Sequence, residues 1–382
     1  MKTEKPKISL VRCNDYENCK ERMRACLDLL GGLKQFIKPN QKVLIKPNLI
    51  DPVPPEIGAD THPLFLKAII ELTKEITQNI FVGDASGGND SGITDKCYKI
   101  SGLKRVVEET GVQFLNFQET EFIPRDISGY QVLEKTDFAA PLFDMDFIIN
   151  LPKFKTHGIT FITGAIKNTF GCIHPLERMY LHKNFPKREI FSKGIVDVYS
   201  FIKKLKPGIT IMDAIRSMEG DQGPSHGPMV NTNLILAGED GVAIDAVMAK
   251  ITGHQPMAIP IIRNATERRV GNGNLDEIDV VGEKMEDVLF SGFKQSSLFD
   301  NKYKKMPGYG KLFDAIPVVN KEKCIKCGTC VNNCPVGAIK LDPYPEIDRK
   351  KCIKCFCCHE FCPKGAIDVK FQPINKIGEE AD

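Results

Sequence analysis

Apolar residues in this chain come in short runs that stop at Gly, Pro or Asn, and the stretches between them carry a helical period. Residues 7–12 (Ile8, Leu10, Val11), 42–46, 79–82, 112–117, 147–150, 208–215, 233–236 and 279–281 read as strands. Residues 17–30, 62–77, 94–110, 188–205, the segment carrying Asp245, and 258–270 read as helices. Strands alternating with helices of this length predict an α/β fold, with a mostly parallel sheet flanked by helices. Residues 119–143 are less regular and predict edge hairpins. Residues 158–171 place Ile159, Ile162, Ile166 and Phe170 at 3-4-4 spacing. That spacing predicts a helix whose other side, with Thr160, Thr163, Gly164, Lys167 and Gly171, walls a polar cavity.

Turns rich in Gly, Pro and polar residues follow several of these strands: Lys46-Pro47-Asn48, Gly83-Asp84, Lys153 to His157, Asp213 to Gly227, and Gly238 to Asp245. Ligands bind at the carboxyl edge of open parallel sheets, so these turns are candidates for one composite site. Gly83 and Asp84 begin a Gly-rich stretch ending at Gly88, a candidate cradle for a cofactor phosphate at a helix start, although such a loop also serves as a plain turn. Lys153, Lys155, His157 and Lys167 place four potential cations within 15 residues. Burying ammonium groups together is unfavourable unless an anion offsets their repulsion. The pattern therefore points to an anionic small molecule, a carboxylate or a phosphate, with His157 as proton donor. Lys46, Asn48, Lys153, Lys155, Asn168, Asp213 and Glu219 are the candidate substrate-binding residues, and His157 and Lys167 the candidate catalytic ones. They are expected to converge on one pocket.

The C-terminal part changes the picture. Cys324, Cys327, Cys330 and Cys334 are followed by Pro335, and Cys352, Cys355, Cys358 and Cys362 by Pro363. Both runs read C-x2-C-x2-C-x3-C-P, and the likeness continues through Gly337-Ala338-Ile339 and Gly365-Ala366-Ile367. In such runs the fourth Cys ligates the other cluster. Cys324, Cys327, Cys330 and Cys362 are therefore assigned to one [4Fe–4S] cluster, and Cys352, Cys355, Cys358 and Cys334 to a second. Zinc sites close at four ligands built from two hooks, a pattern that eight cysteines in two such runs do not match. Cys357, where the first repeat has Thr329, reads as a spare thiol beside the second cluster.

This unit resembles dicluster bacterial ferredoxins. The larger part resembles a domain-of-unknown-function family numbered 362. The resemblance is carried by Lys46-Pro-Asn48, Asn150 to His157, Gly164 to Asn168 with Phe170-Gly171, Met218-Glu-Gly220, Gly223-Pro224, Asp240 and Asp245. Members often carry a C-terminal dicluster ferredoxin, and the resemblance assigns no activity. The stretch from His157 to Lys167 is also similar to one in nickel-pincer lactate racemases, and that cofactor is not carried over. The chain divides as 1–315, an α/β domain, and 316–382, a dicluster ferredoxin domain, with 291–320 read as linker.

Of 382 residues, 52 are basic and 49 acidic, well mixed, which leaves no footprint for nucleic acid or an anionic membrane. No apolar leader and no run long enough to span a bilayer is seen. Fourteen cysteines without an export signal imply a reducing cytoplasm. The expectation is an iron–sulfur oxidoreductase. It exchanges electrons with a soluble donor or acceptor protein and relays them to an anionic substrate, or to an organic cofactor whose identity the sequence leaves open. The alternatives are a non-enzymatic electron carrier or cofactor-assembly protein, and a non-redox isomerase with structural clusters.

Overall fold

The computed structural model describes residues 4–297 and 313–373. In chain order the large unit runs β1 (Lys7–Arg12), α1 (Cys19–Asp28), β2 (Val43–Pro47), α2 (Pro63–Lys74), β3 (Ile80–Asp84), α3 (Ile93–Ile100), α4 (Leu103–Thr110), β4 (Gln113–Asn116), β5 (Phe122–Asp126), β6 (Lys135–Ala139) and β7 (Phe147–Leu151). It continues with β8 (Lys153–His157), β9 (Phe161–Thr163), α5 (Ala165–Asn168), α6 (Pro175–Asn184), α7 (Arg188–Leu205), β10 (Gly208–Met218), β11 (Met229–Gly238), α8 (Gly241–Ile251), α9 (Pro260–Glu267) and β12 (Asp279–Gly282). The main sheet has the order β12-β1-β11-β10-β7-β2-β3-β4, with β8 beside β10 and β9 beside β8. It is parallel from β10 through β7, β2 and β3 to β4. Only the pairs made by β11 and the β8–β9 hairpin are antiparallel.

Successive strand residues face opposite sides of a sheet, and both sides here are covered. Val43, Ile45 and Ile149 pack with Met23, Phe65, Ile69 and Val106 of the helices on one face. Leu44, Ile148 and Met212 pack with Ile195, Val198 and Val247 on the other. This explains why the central strands read as uninterrupted apolar runs.

Three local expectations are corrected. The helix expected over 94–110 is two helices, because Gly102 adopts φ 81 and turns the chain. The helix expected over 158–171 is absent. Phe161–Thr163 pairs antiparallel with β8, Lys155 opposite Thr163, and only Ala165–Asn168 is α-helical. The apolar period survives as burial of Ile159, Ile162 and Ile166, but Thr160 and Thr163 are buried as well. The segment is thus enclosed on both sides and takes strand geometry. Residues 153–157, read as a turn, are strand β8. The hairpin expected in 119–143 is β5–β6.

The cysteine-rich unit is held by β13 (Phe313–Val319) against β16 (Ile367–Pro373) and by the hairpin of β14 (Ile339–Leu341) and β15 (Pro345–Ile347). Residues 313–319, read as linker, are therefore strand, and 298–312 lie outside the described residues. The unit rests on the loop after β10. Ser225 Oγ donates to Glu360 O at 3.0 Å, Gln222 Nε2 donates to Asp368 Oδ1 at 2.8 Å, and His226 Nε2 lies 3.0 Å from Pro363 O. The 213–227 turn, expected to hold ligand, thus seats the second unit. No helix among the described residues is long and apolar enough to cross a membrane.

Candidate functional site

Each cysteine quartet surrounds its own cavity. Cys324, Cys327, Cys330 and Cys362 line one. Cys334, Cys352, Cys355 and Cys358 line the other. These are the crossed sets that the spacing predicts. The sulfurs enclose a volume, and among the described residues no three His, Cys, Asp or Glu side chains converge as ligands of a single ion. Separate irons of a four-iron cluster, each taking one thiolate, suit this arrangement. The two repeats also treat their fourth cysteine alike: Ala338 N donates to Cys334 Sγ at 3.2 Å, and Ala366 N to Cys362 Sγ at 3.1 Å. Cys357 is buried and belongs to neither quartet's cavity lining.

A further cavity, of about 70 Å³ and open to solvent, lies between the carboxyl edge of the parallel strands and the loop that carries the second quartet. Lys46, Asn48, Asp84, Lys155, Lys167 and Asn168 line it from the sheet side. Cys357, Glu360 and Phe361 line it from the other. Lys46 leaves the end of β2, and its Nζ donates to Asp84 Oδ1 at 2.8 Å, with both side chains buried. Asp84 is fixed in turn by the backbone N–H groups of Ala85 (2.8 Å) and Leu49 (3.1 Å). Gly171 is required beside this pair: a Cβ there would sit 2.2 Å from Asp84 Oδ1 and 3.0 Å from Lys46 Nζ. Asn168 Nδ2 donates to Asn150 Oδ1 at 2.8 Å, and Asn150 Nδ2 to Ala165 O at 3.0 Å, which pins α5 to the end of β7.

Glu360 bridges the units. Its Oε2 lies 3.5 Å from His157 Nε2 and its Oε1 3.8 Å from Lys167 Nζ. His157 Nδ1 accepts from Ile159 N at 3.0 Å, so the ring proton sits on Nε2 and faces Glu360. Burial first, and Lys167 second, push the His157 pKa down to about 4. Burial likewise lowers that of Lys167. Burial opposes ionisation of Glu360, but the surrounding His157 and Lys167 outweigh it and hold the carboxyl well below its ordinary range. Lys155 Nζ donates to Ala59 O and faces Asp51 and Asp60; burial brings the Lys155 pKa to about 7 and raises Asp60 to about 8.

Lys153, Asp213 and Glu219 are not part of this cavity, contrary to expectation. Lys153 Nζ lies 3.0 Å from Asp213 Oδ2 and donates to the Tyr16 oxygen at 2.6 Å. The Tyr16 O–H donates to Asp213 Oδ1 at 3.0 Å, and His62 stacks on the Tyr16 ring at 3.6 Å. Alternation puts Lys153 and Lys155 on the same side of β8; Tyr16 and Asp213 pack against Lys153 and match its charge internally, whereas Lys155, two residues further along, lines the cavity. Glu219 Oε2 accepts from Lys294 N at 2.7 Å, a loop tie. Gly83 is corrected too: a Cβ there would meet Phe117 Cε1 at 2.6 Å, so the glycine serves close packing, and α3 does not start until Ile93. Asp84 does reach the cavity, as the partner of Lys46. His157 reaches it only through Glu360.

Three residues escaped sequence reading. Arg178 and His182, on α6, line the cavity and are buried. Arg178 Nη1 donates to Ser86 O at 2.7 Å, while burial lowers its pKa to about 10 and that of His182 to about 3. Helix α6 gave no signal because its exposed Leu176 and Tyr180 blur the amphipathic period. Glu360 also went unremarked, although an acid and an aromatic inside a cluster-binding loop were visible signals.

An α/β sheet with a ligand edge, capped by an iron–sulfur unit, defines the class. Residues 43–250 match the family described as "Domain of unknown function (DUF362)", and the chain belongs to that family. Residues 317–340 match a 4Fe-4S binding domain, and the protein is an iron–sulfur protein of the [4Fe–4S] type. Over 268 residues, 69% of this chain and 79% of the relative, it is 29% identical to a thylakoid-associated protein of Synechocystis sp.. Over 28 residues, 7% of this chain and 18% of the relative, it is 61% identical to an uncharacterized ferredoxin of Methanocaldococcus jannaschii. Among solved structures, a Thermotoga maritima protein is similar at TM-score 0.37 and 17% identity, over 60% of this chain and 57% of that one. The lactate racemase apoprotein of Thermoanaerobacterium thermosaccharolyticum is similar at TM-score 0.35 and 14% identity, over 62% and 54%.

Proposed function

We propose that the protein is a two-cluster iron–sulfur oxidoreductase that passes electrons between the second cluster and an anionic small molecule held in the cavity. The observation that carries this reading is Glu360. It lies between two cysteines of the cluster-binding loop, and its carboxylate meets His157 and Lys167 of the α/β unit. The loop that holds the cluster is therefore itself a wall of the cation-lined cavity. An isolated electron carrier has no use for that arrangement, and structural clusters would not need to face it.

Each quartet holds one [4Fe–4S] cluster, and when bound the clusters supply single electrons at low to moderate potential. Lys46, kept in place by Asp84, and Lys167, beside Glu360, line the cavity as hydrogen-bond donors to the bound molecule. Asn48 and Asn168 offer hydrogen bonds. His157, neutral at neutral pH, directs its Nε2–H toward Glu360 and positions that carboxylate, which itself lines the cavity. A soluble protein partner exchanges electrons with the first quartet, where Cys327 is exposed.

The test is an anaerobic redox titration of the holoprotein, followed by electron paramagnetic resonance, with and without panels of small carboxylates and phosphates, alongside mass analysis of co-purifying small molecules. An occupant of the cavity perturbs one cluster's signal and leaves the other unchanged. If no anion perturbs either cluster and nothing co-purifies, the oxidoreductase reading fails.

A further inference from the structure

The cavity's cations are not equivalent. Lys46 is paired with Asp84 at 2.8 Å, and Lys167 with Glu360 at 3.8 Å. Lys155 faces Asp51 and Asp60. Arg178 is only 7% exposed, yet among the described residues no carboxylate oxygen lies within ion-pair distance of it. Its Nη1 is engaged, donating to Ser86 O at 2.7 Å and to Ala85 O at 3.4 Å. Its Nε and Nη2 have no hydrogen-bond partner in the protein. Those two N–H groups lie on one edge of the guanidinium and point the same way. They form the fork that takes both oxygens of a planar anion side by side.

A buried guanidinium with its fork unmet is costly unless a ligand completes it. The anchoring of Nη1 on the backbone of the turn after β3 fixes the plane of the group, so the fork is preorganised. Lys46, Lys155 and Lys167 already have acids beside them, so Arg178 is the cation left for the ligand to meet. A phosphate dianion would bring two negative charges; a monocarboxylate brings one, in the planar form that the fork fits. Phe170, Met179 and Phe361 line the same cavity and offer apolar surface to the rest of such a molecule.

We infer that Arg178 is the carboxylate-binding residue of the cavity, and that its ligand is a small monocarboxylic acid whose body extends toward Glu360. This rests on reading the cavity as an anion site facing the cluster loop, and it names the class of anion. The acid is held at the Arg178 end by two parallel hydrogen bonds, which leaves its opposite end against the loop that carries the second quartet. Arg178 binds and orients; His157 and Lys167 stand at the other end.

The experiment is calorimetric titration of the oxidised, unmodified holoprotein with propanoate, benzoate, propanamide and inorganic phosphate. At least one carboxylate should bind saturably. Propanamide, which keeps the shape and loses the charge, should not bind, and phosphate should bind about tenfold more weakly or worse. Arg178→Lys keeps the charge and loses the fork, and should weaken the carboxylate by about tenfold or more. If Arg178→Lys does not fold, the four probes on the unmodified protein decide alone. Phosphate binding as tightly as the carboxylates, no carboxylate binding, or undiminished binding by a folded Arg178→Lys protein overturns the inference. Phosphate binding that perturbs a cluster would overturn this inference and keep the proposed function. Carboxylate binding through Arg178 with no cluster response would do the reverse.

Discussion

Glu360 Oε2 stands 3.5 Å from His157 Nε2, although the two residues belong to different units of the chain. With Lys167 at 3.8 Å from the other oxygen, this carboxylate is the electrostatic seam between the sheet and the cysteine-rich unit. Replacing it with Gln leaves Lys167 and the His157 N–H without an acid in a buried place. Glu360→Gln should lower stability by about 2 kcal/mol. The double variant Glu360→Gln/Lys167→Met should recover part of that loss, since the stranded charge is gone. Additive losses in thermal melts would mean that the two groups do not interact.

Metal content tests the quartets directly. Anaerobically purified protein should hold about eight irons and eight sulfides. Cys334→Ser should lower the iron count, because Cys334 lines the second cavity although it belongs to the first repeat. Cys357→Ser should leave the count unchanged. Equal losses from the two variants would refute the crossed assignment.

Lys153 should matter for stability and not for ligand. Its ammonium is buried 3.0 Å from Asp213, so Lys153→Met strands a buried carboxylate and should cost about 3 kcal/mol. In urea titrations the midpoint should fall, whereas anion affinity in the surviving folded protein should match the parent. A selective loss of anion binding would return Lys153 to the site.

His182 supplies a pH signature. It is buried against Phe191, and its pKa is pushed down to about 3, whereas an unfolded histidine titrates near 6.5. A folded value below the unfolded one means that unfolding takes up a proton throughout that interval. The stability this group contributes is complete above pH 6.5 and is lost as the pH falls toward 3. His182→Phe should therefore flatten the decline of the melting temperature between pH 6.5 and 5, by about 1.4 kcal/mol of unfolding free energy per pH unit. An unchanged slope would show that another group dominates the acid limb.

The sequence by itself determined whatever depends on spacing along the chain. Eight cysteines at fixed intervals specify an iron–sulfur unit built on a duplicated C-x2-C-x2-C-x3-C-P run, because that signal lies in a short local stretch and its repeat. Apolar runs ending in turns specify the parallel sheet and its ligand edge, and Lys46, Asp84, Lys155, Lys167 and Asn168 were legible there as cavity residues. Strand alternation puts Lys153 and Lys155 on one side of β8, so it could not tell which of the two meets the cavity; that depends on what packs along β8. Only the tertiary structure decided that Tyr16 and Asp213 enclose Lys153. Only it decided that the Thr-rich side of 158–171 would be buried and so would favour a strand. Arg178 and Glu360 reach one cavity from α6 and from the cluster loop, 182 residues apart. No periodicity encodes that meeting, because it is produced by the docking of one unit on the other, through surfaces whose hydrogen bonds run largely to backbone carbonyls.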